Sequence, residues 1–287
     1  MKQSVPGAGD CFRPKEQAFA MTVTDFAKTL CPVVSLLAGC GFQLYNQLLF
    51  RSSRVTERSA SVRAFLTTAS HIEPQTSPHP FVTIRPARLE DASLAADLIY
   101  LSMGVEIDWL FGQEPGYSTR DILIRLYQRK NNRISYPYAC IAAWKGQEVG
   151  LLLAFPGRIL RRLEWRTGIQ LVPIFGLGGA LRLVRRMPAY GDLVETQADE
   201  FYISNLAVLP AFQGRGVGQA LLEHAEILAR KAGLGKCSLI VSYAHEPARR
   251  LYEKIGYQTV QMYDILHPQI AEGSGGFQRM LKLLAAA

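Results

Sequence analysis

The sequence predicts an α/β domain with a mixed, mostly antiparallel sheet carrying helices on both faces. Three observations predict it. Short alternating apolar runs bounded by turn residues read as strands. Longer runs with apolar residues three and four apart read as helices. The two kinds mix without strict strand–helix–strand alternation, which a purely parallel sheet would require.

The first strand is Phe81 to Pro86, alternating and closed by proline. A helix follows Asp91, with Leu94, Ala95, Leu98 and Ile99 on one face. Ser118 is placed to cap a second helix, striped by Ile122, Leu123 and Leu126. Tyr136–Trp144 and Glu148–Phe155 are two strands around a tight Lys145-Gly146-Gln147 turn. Further strands are expected at about 200–209, 237–243, 257–264 and 277–284, with helices at about 216–232 and 247–254.

The domain is expected to span residues 81–287, with residues 1–80 a poorly ordered leader and linker. Residues 51–80 are rich in Ser, Thr and Arg and lack a periodic apolar face. The uncharged run Thr29–Phe50 is broken by Gly39, Gly41, Gln43, Asn46 and Gln47, so it makes a poor membrane span. Leu37-Ala38-Gly39-Cys40 resembles a lipoprotein processing site. Asp25 spoils the charge pattern such a signal needs, and a cytoplasmic location is the default.

The net charge of +8 suits an anionic ligand as well as nucleic acid. No run of five or more Lys/Arg occurs, nor any RNP-like aromatic motif or Cys/His finger, so nucleic acid is an unlikely partner. The 5 cysteines are odd in number and form no CxxC pair, which argues against a disulfide scaffold and a zinc site. No metal is expected.

The informative stretch is Gln213-Gly214-Arg215-Gly216-Val217-Gly218-Gln219. A strand runs into a glycine-rich turn that opens an amphipathic helix. Such a turn aims backbone N–H groups outward at the positive end of the helix dipole, where a phosphate fits. The spacing is neither that of a dinucleotide fingerprint nor that of a P-loop. An ordinary glycine-rich turn is the alternative.

The segment resembles the acyl-CoA pyrophosphate motif of the GNAT acetyltransferase superfamily. So does Ala248-Arg-Arg-Leu251-Tyr252-Glu-Lys-Ile-Gly256-Tyr257, which is similar to that family's second motif. The resemblance covers about residues 81–285. It implies an acetyl-CoA-dependent N-acetyltransferase acting on a primary amine, either small or on a peptide or protein. Backbone groups of the Leu206-Ala207-Val208 strand would pair with pantetheine. Backbone groups from Gln213 to Gln219 would hold the pyrophosphate. Tyr252 would be the general acid that protonates the leaving thiolate.

Period-two spacing puts Glu200, Tyr202, Ser204, Leu206 and Val208 on one strand face. Glu200 is the carboxylate on that face and the base candidate, against the alternative of a solvated strand-entry charge. His245 stands where the family usually has Asn, and it contacts CoA or substrate or simply precedes the helix.

Residues 156–198 form an insertion rich in arginine: Arg158, Arg161, Arg162, Arg166, Arg182, Arg185 and Arg186. One or two amphipathic helices are expected there, as an acceptor lid, a membrane-surface element, a dimer contact or a solvated helix. Two other readings of the whole chain stay open: a non-catalytic acyl-CoA-binding module on the same fold, and a membrane-surface acyltransferase.

Overall fold

The structure is a computed structural model, and it describes residues 75–76, 79–111, 116–186, 193–264 and 275–285. The leader with Cys40, and Ser77 near the expected boundary, lie outside these residues.

The described residues hold eight strands: β1 (Gln75–Thr76), β2 (Val82–Pro86), β3 (Ala139–Trp144), β4 (Gln147–Pro156), β5 (Phe201–Val208), β6 (Lys236–Ser242), β7 (Gln258–Tyr263) and β8 (Phe277–Leu283). They form one sheet in the order β1-β2-β3-β4-β5-β6-β8-β7. Every neighbouring pair is antiparallel except β5 and β6. Gln75 and Thr76 lie before residue 81 and pair with Ile84 and Thr83.

The helices are α1 (Ala92–Met103), α2 (Val105–Phe111), α3 (Thr119–Gln128), α4 (Leu160–Arg186), α5 (Val217–Lys231) and α6 (Glu246–Ile255). Local chemistry sets their ends. Ser118 accepts from the Asp121 N–H at 3.1 Å, and Asp121 returns the bond to Ser118 N–H at 3.2 Å. This reciprocal box satisfies two N–H groups that the first turn leaves orphaned. The insertion forms the two helical pieces of α4, which bends at Gly176 (φ 66°) three residues after Pro173. β3 and β4 are joined by Lys145 (φ 50°) and Gly146 (φ 85°), the left-handed pair that a two-residue hairpin needs.

Two apolar layers sandwich the sheet. On one face α1, α2, α3 and α4 bury Leu98, Ile99, Ile122, Leu126 and Leu163 against Ile141, Leu151 and Tyr202. On the other, α5 and α6 bury Val217, Leu221, Ala225 and Tyr252 against Val82, Leu152, Phe201 and Leu239. Fully burying side chains of this size stabilises by roughly 1.5–3 kcal/mol each.

Candidate active site

The site lies where β5 and β6 part. They pair only through Phe201–Ile203 and Cys237–Leu239. Beyond that, Ser204–Val208 has a strand neighbour on the β4 side only. The open ends lead to the glycine turn and to α6.

The turn itself is an array of unpaired donors. Gln213 N–H bonds to Pro210, and Ala220 N–H bonds to Gly216. Between them, the N–H groups of Gly214, Arg215, Gly216, Val217, Gly218 and Gln219 have no hydrogen-bond partner among the described residues. Gly214 (φ 74°) and Gly216 (φ 83°) hold left-handed conformations, which fold consecutive N–H groups toward one side. Six open donors at the start of a 15-residue helix make a concave anion site, with the dipole adding to it.

Two side chains of the turn are already engaged. Gln213 Nε2 donates to the Val208 carbonyl at 3.1 Å. The Arg215 guanidinium lies 4.5 Å from the Trp144 ring centroid and 5.2 Å from that of Phe212. Arg215 is therefore held on an aromatic platform, and its backbone N–H is the group open to a ligand.

The expected common face of β5 does not exist. Leu153 pairs with Asn205 but Ala154 pairs with Ile203, so Ser204 is an extra, bulged residue. The bulge reverses the alternation. Tyr202 faces the α1–α4 layer, whereas Val208 faces α5. Residues before and after Ser204 thus belong to opposite faces.

Glu200, the expected base, lies just before β5. It is 2% exposed and forms an ion pair with Arg279, itself 5% exposed. Its other oxygen accepts from Thr196 Oγ1 at 3.0 Å and from Gln197 N–H at 2.9 Å. Burial pushes the carboxyl up. The Arg279 hydrogen bond, the Gln197 N–H and the Ser238 hydroxyl outweigh burial and hold it below its ordinary value. A sealed, depressed carboxylate is a poor proton acceptor and a good clasp between the insertion's exit and β8.

Glu200→Gln should therefore act on stability. Leaving Arg279 buried without a countercharge costs roughly 3–5 kcal/mol. For a domain of this size that lowers Tm by on the order of 10 °C. The folded carboxyl is depressed, so its contribution is full above the unfolded value and disappears as pH falls through the folded one. Calorimetric melts from pH 7 to pH 3 check this: the gap between wild type and variant should narrow on acidification. An unchanged melt with a lost reaction rate would restore Glu200 as the base.

Tyr252 comes from α6 and is 7% exposed. Its ring packs on Tyr257, centroids 6.1 Å apart. Its hydroxyl has no hydrogen-bond partner among the described residues and is not among the sealed polar atoms. Burial pushes the phenol up to about 12, so it stays protonated at neutral pH. A Cβ on Gly218 would lie 3.1 Å from Leu251 Cδ2. The first turn of α5 thus packs directly against the residue before Tyr252. His245 is exposed and gives α6 no side-chain cap.

Sequence reasoning missed several groups. Glu195 accepts from Arg133 at 2.7 Å and from the Tyr202 hydroxyl at 2.6 Å, a half-buried link with no local signal in the sequence. Asn205 Nδ2 donates to Ser102 Oγ at 2.9 Å, tying the bulge to α1. Glu106 lies four residues after Ser102, across the bend at Gly104. Among the described residues its carboxyl has no ion pair or hydrogen bond, and burial pushes it up to about 7. Among the described residues no group of three or more His, Cys, Asp or Glu is placed to hold a metal.

Residues 178–257 match the sequence model described as Acetyltransferase (GNAT) family. The match contains the bulged strand, the open turn and Tyr252. An N-acetyltransferase structure from Staphylococcus aureus Mu50 superposes with a TM-score of 0.52 at 20% identity, covering 69% of this chain and 99% of that one.

Residues 178–257 carry the GNAT-family match.

Sequence relatives share part of the chain. The chain is 32% identical over 94 residues to the [ribosomal protein bS18]-alanine N-acetyltransferase of Haemophilus influenzae, covering 32% of this chain and 64% of that protein. It is 34% identical over 55 residues to the streptothricin acetyltransferase of Streptomyces lavendulae, covering 19% of this chain and 29% of that protein. The chain thus spans less than two thirds of the curated relatives it matches. The insertion is a bent helix pair with Arg158, Arg161, Arg162, Arg182 and Arg185 exposed. Among the described residues no helix is long and apolar enough to cross a membrane.

Proposed function

We propose that this protein transfers an acetyl group from acetyl-CoA to a primary amine. The observation that carries the proposal is the run of six open N–H groups from Gly214 to Gln219, packed against Leu251, the residue before Tyr252 in α6. These donors would hold the pyrophosphate. The one-sided edge of Ser204–Val208 would take the pantetheine as an added strand. The amine nitrogen forms a bond to the acetyl carbon, and the carbon–sulfur bond breaks. Tyr252 gives its phenolic proton to the departing sulfur, and a base takes the proton from nitrogen.

Glu106 is the base this reading assigns. A base works best with a pKa near the working pH, and desolvation brings Glu106 to about 7. It accepts a proton only when ionised, so kcat/KM should rise with pH up to about 7 and then level. Glu106→Gln should lower the rate by about 10²–10⁴-fold and abolish that acidic limb. A limb that survives in the variant assigns the base elsewhere.

The two relatives are named for an alanine of ribosomal protein bS18 and for streptothricin, so both a protein and a small-molecule acceptor are worth testing. Thiol release from acetyl-CoA against a panel of N-terminal peptides, polyamines and aminoglycosides tests the activity. Tight CoA binding with no thiol release across the panel would instead favour the non-catalytic module.

A further inference from the structure

We propose that His79 is a ligand for the cofactor's phosphate at the Gly216 turn, contributed by the segment in front of the domain. The inference rests on the acetyl-CoA reading above and adds a residue that lies outside both family motifs.

His79 is fixed where it stands. Its carbonyl accepts from Val82 N–H at 3.0 Å, which sets the segment against the start of β2. Its ring lies over the turn: a Cβ on Gly216 would come 2.8 Å from His79 Nδ1 and 3.2 Å from Cε1. Gly216 is the left-handed residue at the mouth of the helix, and its own N–H is one of the open donors. An imidazole beside this group reaches whatever anion the group holds.

The other side of the ring faces a carboxylate. His79 Nε2 is 3.7 Å from Glu223 Oε2, and the two side chains are 25% and 30% exposed. Glu223 Oε1 accepts from Gln219 Nε2 at 2.9 Å, so this carboxylate also braces the last residue of the open turn. A carboxylate this close to a phosphate site repels the phosphate unless a cation stands between them. Arg215 does not fill that role, since its guanidinium is stacked on Trp144. The His79 ring stands there instead, between Glu223 and Gly216, and an imidazole N–H aimed at the phosphate would set it apart from the carboxylate.

Calorimetric titration of the full-length chain with CoA tests this. His79→Ala should weaken CoA about tenfold or more, the range of a charge-assisted hydrogen bond. Adding Glu223→Gln to His79→Ala should recover most of that loss, because it removes the carboxylate that His79 had screened. His79→Gln, which keeps a neutral donor at this position, should fall between wild type and His79→Ala, and it replaces His79→Ala if the latter melts early. A folded His79 variant within twofold of wild-type affinity overturns the proposal. So does a double variant as weak as His79→Ala. Wild-type protein that binds no CoA would overturn the acetyl-CoA reading itself, a separate outcome.

Discussion

Gly216→Asp is expected to weaken CoA binding by at least about 100-fold. Gly216 holds φ 83° at the mouth of α5, with its N–H open and His79 against it. Asp tolerates a left-handed backbone better than most residues, so the turn should still form once the His79 ring, 2.8 Å from the new Cβ, moves aside. The added carboxylate would stand among donors arranged for a phosphate, and would compete for them from within the chain. Two further decades of binding correspond to about 2.8 kcal/mol. That is a modest demand for placing a like charge at a partly enclosed anion site. Gly216→Asn separates the causes, because it brings the same shape without the charge. It should lose less affinity than Gly216→Asp. Gly218→Glu tests the same site by another route, since its Cβ would press on Leu251 Cδ2 at 3.1 Å before its carboxylate reaches the turn. Titration calorimetry with CoA, alongside a thermal melt, reads the effect. An unchanged affinity in folded Gly216→Asp would remove the turn from the site.

The parts legible in the sequence are those encoded locally. The Lys145-Gly146 hairpin, the Ser118 cap and the glycine turn each depend on residues within a few positions, and each forms where the sequence places it. The bulge at Ser204 was not legible. Its cause is the register of β5 against β4, a property of two strands about 50 residues apart in sequence, and alternation within β5 carries no trace of it. One unpaired residue was enough to put Tyr202 and Val208 on opposite faces and to break the chain of reasoning that led to Glu200. Glu200 itself looked like a strand-entry charge because its partner, Arg279, lies 79 positions later. The α2 segment Val105–Phe111 was missed for a different reason. It is 7 residues long and follows a glycine, so too few turns exist for a periodic face to show. His79 fell in a stretch whose composition gave no hint of packing, and only its contact with Gly216 brings it forward.

Tyr252→Phe should leave the site intact and remove one proton. Phe keeps the ring that packs on Tyr257 and the layer beneath α6. The hydroxyl has no hydrogen-bond partner among the described residues, so its loss strands no buried group and should change stability by less than about 1 kcal/mol. CoA affinity should stay within about twofold, because the phosphate donors belong to the turn and not to α6. The rate should nevertheless fall by about 10²–10⁴-fold, the contribution of a general acid. The fall should appear in kcat and in kcat/KM alike, the mark of an interaction made only in the transition state. The pH profile adds a constraint. Burial pushes the phenol up to about 12, so it remains a donor throughout the neutral range. Any alkaline limb between pH 8 and pH 10 must then come from another group, and it should persist in Tyr252→Phe. Pre-steady-state measurement of thiol release separates chemistry from product departure. If the variant releases thiol as fast as wild type, sulfur leaves without help from Tyr252, and the acid role passes from α6 to solvent or to the acceptor.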